Sequence, residues 1–157
     1  MSISRSFTLN TSLSDEELMA PFGDNVVTDE SDQTTHIAGT KSLIGVYPLT
    51  VQYEWQYSFG VEHNTMVSID IENETAPQTR RVLDDATGPF IRAVGGEGWI
   101  RHHDIPIVHW NSEAIRVDPS RYDTQRVLHS LETAGLDYQT ADLWSEAEAE
   151  DGPCSSN

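Results

Sequence analysis

The chain predicts an α+β fold, a mostly antiparallel sheet with two or three helices packed on one face. Three observations carry that expectation. Val51, Tyr53, Trp55, Tyr57 and Phe59 alternate with polar residues, and so do Val67, Ile69 and Ile71. A period of two belongs to strands with one buried face, so the two runs are expected to pair as an antiparallel hairpin, apolar on one side and wet and acidic on the other. Between Thr75 and Val94 the period changes: Val82, Leu83, Ala86, Phe90 and Val94 recur at helical spacing. The following GWIRHHDIPIVHWNSEAIRVD is strand material folded at least once.

Taken in order, Ile3, Phe7 and Leu9 read as the apolar side of a first strand. Arg5 shares their parity and is expected near the strand end with its head in solvent. Ser14-Asp15-Glu16-Glu17 is a capping box, with Leu13 and Leu18 placed as a hydrophobic staple. The short helix it starts should close at Pro21-Phe22-Gly23. Asp24 to Gln33 reads as a polar acidic connection. Its carboxylates lack the glycine and closing glutamate of a calcium loop. Strand character resumes at Thr34.

Thr75 is expected to cap the central helix, with Pro77 in its first turn, and Gly88-Pro89 should kink or split it before Gly95-Gly96 ends it. Ile105 to Trp110 is apolar on both parities and reads as a covered strand, turned at Asn111-Ser112. Asp118-Pro119 should begin a further helix, with Val127, Leu128, Leu131 and Ala134 inward and Gly135 as its stop. The expected organisation is one domain over residues 1–135 and an acidic C-terminal tail over 136–157, partly disordered. Within that tail Leu136, Tyr138, Leu143 and Trp144 are expected to dock back on the domain.

A 157-residue chain buries roughly 70% of the surface it exposes when unfolded, so it needs no disulfide or metal to fold. A single cysteine, Cys154, and no signal-like or membrane-length apolar stretch predict a cytoplasmic protein. The formal charge is −17, and every basic residue except Lys41 is arginine. Such a chain repels nucleic acid and anionic membranes and attracts basic proteins. Adaptation to a saline cell interior would leave the same composition.

Few constellations suggest chemistry. His102, His103, Asp104 and His109 offer metal-type ligands, but neighbouring strand residues point to opposite faces. Two exposed loop histidines and one strand histidine is the expected arrangement, with no catalytic residues, metal or cofactor assigned. No serine sits in a nucleophile elbow, and Gly95-Gly96-Glu97-Gly98 lacks the lysine of a phosphate loop.

The segments ISRSFTLNTSLSDEEL, VQYEWQYSF with TMVSIDIE, and HWNSEAIRVD occur in an order that resembles the Sit-type immunity proteins of bacterial polymorphic toxin systems. Trp110, Asn111 and Glu113 match that family's aromatic-Asn-Gly-Glu turn. Ser112 stands where its glycine is expected, and Gly95 to His103 is extra length. The resemblance covers about residues 2–118. It implies a non-enzymatic protein that protects its own cell by binding a cognate toxin. Under that expectation a basic protein partner meets Glu54, Asp70, Glu72, Asn111 and Glu113. The alternatives are an acidic anti-defence protein mimicking nucleic acid to inhibit a DNA- or RNA-binding enzyme, and a small metal-dependent enzyme using the His102–His109 region.

Overall fold

The computed structural model describes residues 3–49 and 63–145. Within them the fold is α+β, built on one nine-stranded sheet. The strands are β1 (Ile3–Leu9), β2 (Val26–Thr28), β3 (Thr35–Ile37), β4 (Ser42–Pro48), β5 (Thr65–Ile71), β6 (Gly98–His102), β7 (Ile105–Trp110), β8 (Ile115–Val117) and β9 (Gln139–Thr140). Their spatial order is β2-β3-β4-β5-β1-β6-β7-β8-β9. All pairings are antiparallel except β8 with β9. The helices are α1 (Asp15–Met19), α2 (Ala76–Val94) and α3 (Gln125–Thr133), with a 3₁₀ stretch at Ala20–Asn25.

Two strand assignments correct the sequence expectation. The Val51–Phe59 run lies outside the described residues, and β5 has no edge left for it. One edge of β5 pairs with β4 from Ser42↔Ile71 to Pro48↔Thr65, and the other with β1 from Ile3↔Ile71 to Leu9↔Thr65. The expected loop from Asp24 to Gln33 contains β2, too short to show a period.

The core lies on the helix side of the sheet. Phe7, Phe22, Phe90 and Trp110 meet there from β1, the 3₁₀ stretch, α2 and β7. Phe90 stands 4.7 Å from Phe7, 5.9 Å from Phe22 and 6.4 Å from Trp110 between ring centroids. All four are at most 2% exposed. Truncating such a phenylalanine costs on the order of 3–5 kcal/mol. Trp110 also donates its indole N–H to the Gly95 carbonyl at 2.8 Å, fixing the end of α2 to β7. Its ring fills the space a side chain at Gly98 would need.

The capping box at Ser14 forms as expected: Glu17 N–H donates to Ser14 Oγ at 3.2 Å, and Ser14 N–H to Glu17 Oε1 at 3.1 Å. Thr75 occupies the cap position of α2, but its hydroxyl does not cap the helix. It accepts the Lys41 N–H at 2.7 Å and ties the helix start to β4.

Gly88-Pro89 does not split α2, which runs unbroken from Ala76 to Val94. Proline removes the N–H that would reach the Asp85 carbonyl and disrupts the adjacent ladder. Ser130 of α3 repairs it, accepting the Gly88 N–H at 2.8 Å and donating to the Asp85 carbonyl at 2.7 Å. Gly88 is required for this approach, because a β-carbon there would overlap the Ser130 carbonyl. One hydroxyl from a neighbouring helix thus completes two backbone groups that sequence alone leaves orphaned.

The expected helix at Asp118 starts instead at Gln125. The Asp118 carboxylate is engaged elsewhere: Oδ1 accepts from Ser120 N–H at 2.9 Å, and Oδ2 accepts from Leu143 N–H at 3.0 Å. Leu143 is fully buried, and β9 extends the sheet beyond β8. The chain after Gly135 therefore docks through Ser145.

Ser130→Ala leaves Gly88 N–H and Asp85 C=O without that partner, and a loss of about 1–3 kcal/mol is expected. Gly88→Ala is expected to cost more, because it drives α3 away from α2. Denaturant unfolding of both variants beside the parent checks the order; equal stability for all three would refute the role given to Ser130.

Candidate functional site

Register divides the side chains between two faces of the sheet. On the helix side, β1 contributes Arg5, Phe7 and Leu9. The outer side carries two rows. One runs from Val27 through His36, Leu43 and Asp70 to Ser4; the other runs from Tyr47 through Met66, Thr8, Trp99 and His109 to Arg116.

Arg5 is where the helix side departs most from expectation. Its head is not in solvent: the residue is 0% exposed. Its Nε–H donates to His102 Nδ1 at 3.1 Å, one terminal nitrogen to Asp84 Oδ1 at 3.0 Å, and the other to the Tyr122 hydroxyl at 2.6 Å. Tyr122 in turn donates to Asp84 at 3.1 Å. The guanidinium lies 5.1 Å from the Tyr122 ring centroid. Burial raises the Asp84 carboxyl above its usual range, against the pull of Arg5 and Tyr122. Desolvation outweighs attraction here, as is common for buried ion pairs.

His102 is likewise buried and not an exposed loop residue. Burial pushes it down to about 3, reinforced by the charges of Arg5 and Arg80. A base is most useful with a pKa near the working pH, so His102 is poorly placed for proton transfer. His103 is exposed and sits in the turn with φ 57°. His109 is buried on the outer side of β7. The three histidines therefore do not converge, and among the described residues no three His, Cys, Asp or Glu side chains gather as metal ligands.

His109 belongs to a second constellation, which the sequence reading missed. Glu97 Oε1 lies 3.3 Å from its Nε2, Arg116 lies 3.1 Å from Nδ1, and Trp99 stacks at 4.4 Å. Arg116 must donate, so Nδ1 accepts and Nε2–H faces Glu97. Both ring nitrogens are engaged, which leaves neither to take a proton from a substrate. The alternation of Trp99 and His109 with core residues was the available signal, but pairing β6 with β7 was needed to place them together. His63 lies in the same electrostatic neighbourhood, lowered to about 4 chiefly by burial.

The expected partner-binding residues fall in two places. Asp70 is exposed on the outer side of β5, opposite Leu43, and Glu72 is exposed just beyond. Asn111 and Glu113 occupy the β7–β8 turn, where Asn111 Oδ1 accepts from the N–H groups of Glu113 at 2.8 Å and Ala114 at 2.9 Å. Asn111 thus shapes the turn. The two groups lie at opposite ends of the strands, three strands apart, roughly 14 Å across and about 20 Å along. They do not form one patch. Glu54 lies outside the described residues.

The exposed surface is uneven. Asp15, Glu16, Glu17, Asp24, Asp29, Glu30 and Asp32 are all exposed along the arm leading to the β2 edge, and no Lys or Arg occurs between Ser6 and Thr40. On the outer face of β2 and β4, Val27, Leu43 and Tyr47 are exposed apolar residues, Tyr47 at 49%. A groove between α2 and α3 of about 730 Å³ is lined by Asp85, Pro89, Arg126, His129 and Ser130, with Asp85 and Arg126 ion-paired at 2.7 Å. No helix among the described residues is long and apolar enough to cross a membrane.

Set beside known proteins, the chain matches no family model, no curated protein and no solved structure.

The buried histidines set a pH dependence. His63 and His102 have folded pKa values near 4 and 3, below the ordinary 6.5. The unfolded chain takes up their protons first as pH falls, so stability is full above about 6.5 and declines below it. Asp84, raised in the fold, acts with the opposite sign at lower pH. Melting temperature is expected to drop between pH 7 and pH 4.5, with a shallower slope in His102→Asn, which keeps an acceptor for Arg5. An unchanged slope in that variant would remove His102 from the account.

Proposed function

We propose that this chain is a non-enzymatic binding protein that neutralises a cognate basic protein toxin, as an immunity protein does. The observation that carries the reading is the arm from Asp15 to Asp32, whose seven carboxylates are all exposed and which contains no Lys or Arg. Such a surface speeds encounter with a cationic protein and selects against anionic ones. The histidine geometry adds support. His102 is buried against Arg5, and His109 is held by Glu97 and Arg116 through both ring nitrogens, an arrangement suited to packing. The acids also disfavour mimicry of a duplex. Asp15, Glu16 and Glu17 are consecutive in one helical turn, whereas phosphates repeat along an extended line.

Coexpression with the protein encoded beside this one in its own operon tests the proposal. Protection of the host cell and copurification are expected. The complex should weaken between about 0.1 M and about 1 M salt, as the Debye length falls from about 10 Å to about 3 Å. The charge-reversed variant Glu16→Lys/Asp24→Lys/Glu30→Lys should lose protection while folding normally. Absence of both protection and copurification would overturn the reading.

A further inference from the structure

The outer face of the sheet between β2 and β5 combines features that the acidic arm alone lacks. Val27, His36, Leu43 and Asp70 stand side by side across four strands, and Tyr47 and Met66 stand side by side four residues further along β4. Leu43 is 44% exposed and Val27 37%. The Tyr47 ring lies down over Gly45, where a side chain would collide with it. Val27, Leu43, Tyr47 and Met66, with His36 between the first two, form a low apolar platform, roughly 14 Å by about 13 Å from strand and residue spacings. Its rim is anionic: Asp29, Glu30 and Asp32 lie in the β2–β3 turn, with Asp70 and Glu72 on the β5 side. Lys41, the one cation nearby in sequence, is paired with Glu74 at 2.5 Å.

We infer that this platform is the docking surface for a cationic protein, with Leu43 and Tyr47 as its apolar anchors and the surrounding carboxylates as its rim. The inference rests on the proposed basic partner and names the surface that would meet it. Charge complementarity selects the occupant. A second copy of this chain would bring another −17 against the same rim, and nucleic acid or an anionic membrane would be repelled for the same reason. An apolar centre inside a polar rim is the arrangement in which a few anchors carry most of an interface. The groove between α2 and α3 fits less well, since its Arg126 and His129 would face the partner's cations.

The isotopically labelled full chain, titrated at low salt, tests this with two synthetic probes: a ten-residue peptide alternating arginine with leucine, and ten-residue polyarginine. Amide shifts for the alternating peptide should concentrate at residues 27, 36, 43, 47 and 66–72. The exposed-site variant Leu43→Ser/Tyr47→Ser should raise the Kd of that peptide by about tenfold or more. Its Kd for polyarginine should stay within about twofold, since rim charge attracts both probes. Leu43→Gln alone should act in the same direction, and the melting temperature of each variant confirms folding. Shifts centred on the α2–α3 groove, or scattered, would overturn the surface while leaving a basic partner in place. Equal losses for both peptides would also overturn it. Concentration-dependent shifts at these residues in the free chain would assign the platform to a second copy and overturn the inference. Failure of both peptides to bind would remove the basic-partner reading as well.

Discussion

Burying a guanidinium is the constraint around which the helix side of this molecule is arranged. An isolated charge taken from water into a protein interior costs several kcal/mol, and only good geometry offsets that cost. Arg5 meets the demand with acceptors from three separate parts of the chain: Asp84 of α2, His102 of β6 and Tyr122 of the loop before α3. Each of these must be in place before Arg5 can be dry. The cluster therefore links the middle of the sheet, the long helix and the 118–124 loop, and a change that displaces one member leaves the guanidinium short of a partner. Apolar burial through Phe7, Phe22 and Phe90 supplies most of the attraction between the same elements. That attraction is non-directional, and the Arg5 contacts add direction to it.

A long helix containing Gly88-Pro89 poses a second problem, solved in the same way. The missing proline N–H and the displaced ladder need outside partners, and Ser130 provides them. The close approach permitted by Gly88 brings α3 near enough for one hydroxyl to serve both groups. Asp118 performs a comparable service for the chain near Leu143. In each case a polar side chain distant in sequence completes a backbone that local sequence leaves incomplete. Such contacts are also the least visible before folding.

What could be read in advance follows from this division. The α+β class, β1, the capping box at Ser14, the helix through Phe90 and the β6–β7–β8 meander rest on local period and local turn chemistry, and these were legible. The pairing of β5 was not. A period of two states that a strand has a buried face, and it does not say which strand lies beside it. The fate of Arg5 was misread because its snorkelling tendency is a local rule, whereas its three acceptors lie 79 to 117 residues away. The helix expected at Asp118 failed for the same reason, its cap residue being drawn to Leu143. Of the candidate site, the exposed positions of Asp70, Glu72 and Glu113 follow from polarity and alternation. Their separation into two groups depends on strand order, which no single segment encodes.

The distribution of acids bears on why the chain carries them. Several carboxylates have local work: Asp29 and Asp32 accept from Ser31 and Thr34 in the β2–β3 turn, and Asp142 accepts from Ser145. Ser, Asn or Thr can make the same turns without charge, so turn formation alone does not require a net −17. Self-repulsion from excess charge also opposes the compact state. A general adaptation to solvent would act on the whole surface alike. The described residues instead place Arg80, Arg81, Arg92, Arg121 and Arg126 in α2, α3 and the loop before α3, where Arg126 pairs with Asp85, while the arm from Asp15 to Asp32 contains no cation. Among the described residues the longest stretch of carboxylates without a cation is therefore this arm. Its Asp29, Glu30 and Asp32 lie in the β2–β3 turn, on the same side of the sheet as the β2–β4 edge that carries the exposed Leu43 and Tyr47. A cationic surface laid against that edge would relieve the repulsion and cover the apolar residues in one step. That coincidence of charge and exposed apolar area is the physical basis for placing the proposed partner there.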